Sequence, residues 1–273
     1  MLCNTNNLMG FALRGTDGDI GAVEDFYFDD DNWTVRYLVA DTQKWIPGRK
    51  VLISPISLGN VDAEQKQVSV NLTREQIKNS PDIDTHKPIS RQHETAVYNY
   101  YGYPYYWSGP YLWGPTVYPA EAAAIPPPIP ETEMREIQAA QERENSEDNH
   151  LRSTREVTNY YIEARDGGIG HVEEFLIDDV SWTIQYIVVD TRNWWPGKKV
   201  LVSPHWIKDV SWPESAVHVD LTRESIKTSP EYDESAPISR GYEKRLWEHY
   251  GRTEHGSGDP GRNAREAFEP TDK

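Results

Sequence analysis

The sequence is short of the residues that most often carry covalent or metal chemistry. Its 273 residues include one cysteine, Cys3, so no intramolecular disulfide can form and a reducing compartment is expected. The eight histidines are scattered, and no second His or Cys stands at zinc-ligand spacing. Ser54 and Ser203 precede prolines without a G-x-S-x-G elbow, which offers no nucleophile. No run of about 18 apolar residues occurs, which predicts no membrane-spanning helix. The opening MLCNTNNLMG lacks a basic region followed by an apolar one, so no signal peptide is expected. Basic residues are outnumbered: 28 Lys and Arg face 44 Asp and Glu, a net charge of −16. Such a chain repels phosphate backbones and anionic bilayers. Nucleic acid is thus not an expected partner, and the expected location is cytoplasmic, with attachment to a membrane complex only through a partner.

What the chain does have is a duplication. Asp17 to Asp41 reads DGDIGAVEDFYFDDDNWTVRYLVAD, and Asp166 to Asp190 reads DGGIGHVEEFLIDDVSWTIQYIVVD. The offsets 166 − 17, 182 − 33 and 190 − 41 are all 149, so the two stretches align without a gap. The same offset relates Ser54-Pro55 to Ser203-Pro204, Leu72-Thr73-Arg74-Glu75 to Leu221-Thr222-Arg223-Glu224, and Pro88-Ile89-Ser90-Arg91 to Pro237-Ile238-Ser239-Arg240. A unit this long exceeds a solenoid repeat and holds its own core.

Within each repeat the pattern is that of short strands. Asp17-Gly18 and Asp166-Gly167 separate apolar runs and supply hairpin chemistry. Val35, Tyr37 and Val39 alternate with Thr34, Arg36 and Leu38, and both faces carry apolar residues, as in a small closed barrel. Val68, Val70 and Leu72 alternate with Gln67, Ser69 and Asn71 in the last strand. Five or six short antiparallel strands per repeat are expected, closing as a small barrel. Thr73-Arg74-Glu75-Gln76 predicts a boxed helix start, Thr222 caps its counterpart, and Ser90 and Ser239 cap a second helix.

The expected domains are a first barrel over 8–95, a linker over 96–153, a second barrel over 154–250, and a disordered tail over 251–273. The linker reading rests on composition: YNYYGYPYYWSGPYLWGPTVYP, then AIPPPIP, then a charged run from Glu131 to Asn149, none with a regular apolar period.

The loops TQKWIPGRK and TRNWWPGKK follow Asp41 and Asp190, and Pro-Gly favours a type II turn. Their residues Trp45, Pro47, Trp194, Trp195 and Pro196 are the candidate partner-binding residues, since aromatic loop residues fill partner pockets; the alternative is that they fold back and plug the barrel end. The acidic turns Asp29-Asp30-Asp31 and Asp178-Asp179 lack the oxygen spacing and glycine of a calcium loop and read as solvated turns. Asp41 with Arg74, and Asp190 with Arg223, are candidate structural ion pairs. No catalytic residue, metal or cofactor is expected.

The ordered set Asp17, Gly21, Val23, Phe26, Tyr37, Val39, Val51, Leu52 and Pro55, repeated as Asp166, Gly170, Val172, Phe175, Tyr186, Val188, Val200, Leu201 and Pro204, resembles the PRC-barrel family. That family is named for the cytoplasmic domain of the H subunit of the purple bacterial photosynthetic reaction centre. The resemblance implies a mainly β fold of two small antiparallel barrels, each followed by short helices. It implies a non-catalytic adaptor that binds protein partners through barrel surfaces, including self-association or pseudo-two-fold packing of the two barrels. The other readings are a peripheral component of a membrane electron-transfer assembly, and a metal-dependent or acid-base enzyme using the turn carboxylates.

Overall fold

A computed structural model describes residues 2–42, 46, 49–83, 89–125, 150–191 and 197–252. The chain is mainly β. It opens with β1 (Leu2–Asn4) and α1 (Thr5–Leu8), then β2 (Ala12–Gly15), β3 (Gly18–Asp29), β4 (Thr34–Asp41) and β5 (Lys50–Ile53). A 3-10 turn at Pro55–Ser57 leads to β6 (Leu58–Asp62), β7 (Gln67–Val70), α2 (Arg74–Asn79), α3 (Arg91–Tyr101) and α4 (Pro119–Ala122). The second repeat runs β8 (Leu151–Ser153), α5 (Thr154–Val157), β9 (Tyr161–Ala164), β10 (Gly167–Asp178), β11 (Ile184–Asp190) and β12 (Lys199–Val202). A 3-10 turn at Pro204–Trp206, β13 (Ile207–Ser211), β14 (Ala216–Val219), α6 (Arg223–Thr228) and α7 (Arg240–His249) complete it.

Each repeat forms a sheet of the same order, β5-β4-β3-β2-β7-β6 and β12-β11-β10-β9-β14-β13. Two features depart from the expected antiparallel barrel. β7 runs parallel to β2, and β14 parallel to β9. Neither sheet closes by hydrogen bonds between its outermost strands among the described residues. Each sheet also gains a seventh strand, β8 on β3 and β1 on β10.

The long strands β3 and β10 are the hubs. Register shifts fall at Val23/Asp25 and Tyr27/Phe28 in β3, and at Val172/Glu174 and Leu176/Ile177 in β10, the same positions 149 residues apart. A bulge adds local twist and bends a strand, so one 12-residue strand can pair with β2 over its first half and β8 over its second. Gly21 and Gly170 make the crossing: a Cβ at either would lie 2.0 or 2.2 Å from the carbonyl oxygen of Asp41 or Asp190. The Asp of each Asp-Gly pair also serves the next element, since Asp17 Oδ1 accepts from Arg74 N at 2.8 Å and Asp166 Oδ1 from Arg223 N at 2.7 Å. The helix starts form as the sequence predicts: Thr73 and Gln76 make a reciprocal capping box, Thr222 and Ser225 another, and Ser90 and Ser239 cap α3 and α7.

The chain divides into two compact units. Among described residues, the unit carrying the first repeat contains 8–125, 150–152 and 180–182; the other contains 2–7, 153–179 and 183–252. The first packs Leu13, Ile20, Phe26, Val35, Tyr37, Leu38, Val51 and Val68, all essentially without exposure. The second packs the counterparts Ile162, Ile169, Phe175, Ile184, Tyr186, Ile187, Val200 and Val217. Burial of each such side chain contributes about 1.5 to 3 kcal/mol before entropy is counted.

The expected linker needs correction in its aromatic half. Residues 91–101 are helix α3, and Tyr98, Tyr105, Tyr106 and Trp113 are buried. This stretch packs through ring contacts and polar tips, which an apolar-period test does not detect. Residues 126–149 and 253–273, the charged half and most of the expected tail, lie outside the described residues.

Candidate functional site

Trp45, Pro47, Trp194, Trp195 and Pro196 all lie outside the described residues. Among the described residues flanking them, Thr42 Oγ1 donates to Arg49 O at 2.8 Å and Thr191 Oγ1 to Lys198 O at 2.7 Å.

The most elaborate side-chain assembly sits in the first unit, where the aromatic stretch meets β4. All of β4 is buried except Asp41, so its outward row needs a cover. Arg36 occupies that row with 1% exposure. Its Nε donates to Asp29 Oδ2 at 2.5 Å and its Nη1 to Leu112 O at 2.6 Å. Its guanidinium lies 3.9 Å from the Tyr106 ring centre and 4.8 Å from that of Trp113. Trp113 is itself fully buried and donates Nε1–H to Ser181 O at 3.1 Å. A buried charge is tolerated where it is paired and fully hydrogen-bonded, and here the carboxylate, carbonyl and ring faces supply both conditions.

Next to it lies Glu94, fully buried on α3. Tyr37 and Tyr106 donate to Glu94 Oε2 at 3.1 and 2.7 Å. Arg91 Nη1 and His150 Nε2 approach Oε1 at 3.0 and 3.2 Å. Arg91 also donates to Tyr106 OH at 2.9 Å. Because Tyr106 gives its hydrogen to Glu94, the His150 hydrogen belongs on Nε2, while Nδ1 faces Arg91 Nη2 at 3.5 Å,. Burial, with Glu94 nearby, pushes the Tyr37 and Tyr106 phenols far above their ordinary range, so they act as neutral donors. Tyr98 packs at the centre of the rings, 5.3 to 6.2 Å from Tyr37, Tyr103, Tyr105, Tyr106 and Trp107. Burial raises its phenol as well.

The second unit keeps the core of this arrangement without the rest. Tyr186 OH donates to Glu243 Oε1 at 3.1 Å, and Trp247 Nε1 donates to Tyr186 OH at 3.2 Å. Gln185 stands where the first repeat has Arg36, and no Tyr- and Trp-rich stretch follows α7. The second unit has a cavity of about 440 Å³ edged by Arg165, Asp220, Thr222, Ser225, His249 and Arg252. Arg165 Nε donates to Asp220 Oδ1 at 2.7 Å and Arg252 Nη2 to Asp220 Oδ2 at 3.0 Å. Hydrogen bonds from Arg165 and then Arg252 hold the Asp220 carboxyl below the usual range.

One sequence expectation changes on these contacts. Asp29 is not a solvated turn residue: it is 2% exposed and serves Arg36, while Asp30 pairs with Arg152 at 3.1 Å. Among the described residues no group of three or more His, Cys, Asp or Glu side chains could hold a metal ion. Sequence reading missed Arg36 as the anchor of the aromatic stretch. The signal was available, because Arg36 becomes Gln185 in the repeat that lacks such a stretch.

The first unit is a bulged, mainly β module. Residues 5–77 match the PRC-barrel domain family, and the chain carries a PRC-barrel domain there. No curated protein matches the chain. The match runs from α1 into α2 of the first repeat, and the second repeat has the same strand order and bulges.

Proposed function

We propose that this chain is a non-catalytic adaptor whose two PRC-barrel-like units bind protein partners through barrel surfaces and the Trp-Pro-Gly loops. The observation that supports it most is the use of the ionisable groups. Asp29, Arg36, Glu94, Arg91 and His150 bind one another and the aromatic stretch, with Glu94 wholly enclosed. Acid-base catalysis needs such groups facing a substrate; here they fasten chain segments. The open charged groove of the second unit, with two arginines on one carboxylate, adds a surface suited to an acidic partner segment on an otherwise acidic chain.

No helix among the described residues is long and apolar enough to cross a membrane, so association with a membrane assembly would run through a partner. The test is an affinity pull-down from native lysate, with soluble and membrane fractions kept apart. Wild type is compared with Trp45→Ala/Trp194→Ala/Trp195→Ala. A specific partner lost in the variant is expected. A partner set unchanged by the substitutions would remove the loops from the reading, and no partner in either fraction would remove the adaptor.

A further inference from the structure

We propose that the partner each repeat is built to bind is another repeat of its own kind, and that in this chain the two repeats satisfy each other by exchanging their leading strands. β1 and β8 are the same element of the repeat, since 151 − 2 and 153 − 4 both give 149. Yet β1 lies on β10, with Leu2 opposite Asp178, Cys3 opposite Ile177 and Asn4 opposite Leu176. β8 lies on β3 of the first repeat.

The contacts extend beyond the ladders. Phe175 N donates to Thr5 Oγ1 at 3.3 Å, and Asn6 Nδ2 to Glu174 Oε2 at 3.2 Å. In the first unit Asp30 N donates to His150 O at 3.0 Å, and Arg152 pairs with Asp30. Each repeat therefore gives a strand and receives one.

The receiving edge follows from the bulged hub. β2 covers β3 from Gly18 to Ala22, and β9 covers β10 from Gly167 to His171. Beyond the bulge the far half of each hub pairs within its own repeat only with β4 or β11, and its other side is taken by the leading strand of the other repeat. An edge of this kind recruits a strand, and a repeat that both donates and recruits is self-complementary. Joining two such repeats in one chain gives the exchange an effective concentration of the order of millimolar, which favours pairing within the chain over pairing between chains.

The lone cysteine supplies the test. Directly opposed residues of antiparallel strands have Cα atoms about 4.5 to 5.5 Å apart, inside the range a disulfide spans. The full chain carrying Ile177→Cys and a protease site inserted between residues 137 and 138 is oxidised as the folded protein, then cut. The expected result is one band of full-chain mass without reductant that separates into two halves with it, and no such band when Cys3→Ser is added. Two separate halves without reductant, from a protein with the parent's circular dichroism, would overturn the proposal. A band of twice the chain mass before cutting would overturn the assignment to a single chain. If Ile177→Cys does not fold, the cut chain with native Ile177 gives the answer by size-exclusion chromatography through serial dilution: co-elution supports the exchange, and separation of folded halves overturns it.

Discussion

At the scale of single residues, two kinds of backbone demand are met differently. Trp33 and Trp182 both have positive φ, 51° and 61°, a conformation that costs an L-residue about 1 to 2 kcal/mol. Both are buried, Trp33 stacked on Phe28 at 5.2 Å and Trp182 tilted against Phe26 at 6.5 Å, so packing of a large ring offsets the strain. Gly21 is the opposite case, because its demand is steric and no side chain can compensate. Gly21→Ala is expected to destabilise by about 3 kcal/mol or more, whereas Gly10→Ala, with φ of 78° and nothing within 4 Å of the added carbon, costs about 1 kcal/mol. Urea unfolding of the two variants checks the ordering.

His93 makes a pH prediction at the same scale. Burial lowers its pKa below the ordinary 6.5, and its Nε2 is buried without a hydrogen-bond partner. The unfolded chain takes up this proton at a higher pH than the folded one. Stability from this residue is therefore complete above about 6.5 and declines as pH falls below that value. Replacing it by Gln should flatten the decline, read as a smaller difference in urea midpoint between neutral and mildly acidic buffer.

At the scale of elements, β4 explains why the aromatic stretch folds. Its alternation was legible from sequence, and apolar residues on both faces implied cover on both. What supplied the outer cover was not legible, because residues 103–118 have neither a helical nor a strand period. Their order comes from ring edges, Tyr hydroxyls and one buried guanidinium, which are interactions between residues distant in sequence. Arg36→Gln places the second repeat's residue in the first and leaves Asp29 buried without its partner. A loss of about 3 to 5 kcal/mol is expected. The double variant Arg36→Gln/Asp29→Asn should recover a large part of it, since the uncompensated charge is then gone. Denaturant unfolding of the wild type, both single variants and the double gives the coupling directly.

At the scale of the whole molecule, the duplication, the strand succession, the caps and the family were all readable in the residues, because each depends on local pattern or on self-alignment. The exchange was not, since β1 and β8 have the same sequence context whether they return to their own repeat or to the other. That ambiguity has a kinetic consequence. A chain refolding alone can finish each unit with the leading strand of its other repeat, but at high concentration the leading strand of one molecule meets the receiving edge of another. Both products contain the same ladders and differ in which chain supplies them, so the partition is decided by concentration during folding, and the linked strand competes at roughly millimolar effective concentration. Refolding well below that concentration should give monomer alone. Refolding near it should give a sizeable fraction of exchanged dimer that persists after dilution, because release requires a unit to open. Light scattering coupled to size-exclusion chromatography measures the fraction, and deletion of residues 2–7, which removes one of the two exchanged strands, should lower it while leaving the unit of the first repeat folded. A dimer that forms equally well without those residues would assign it to another surface.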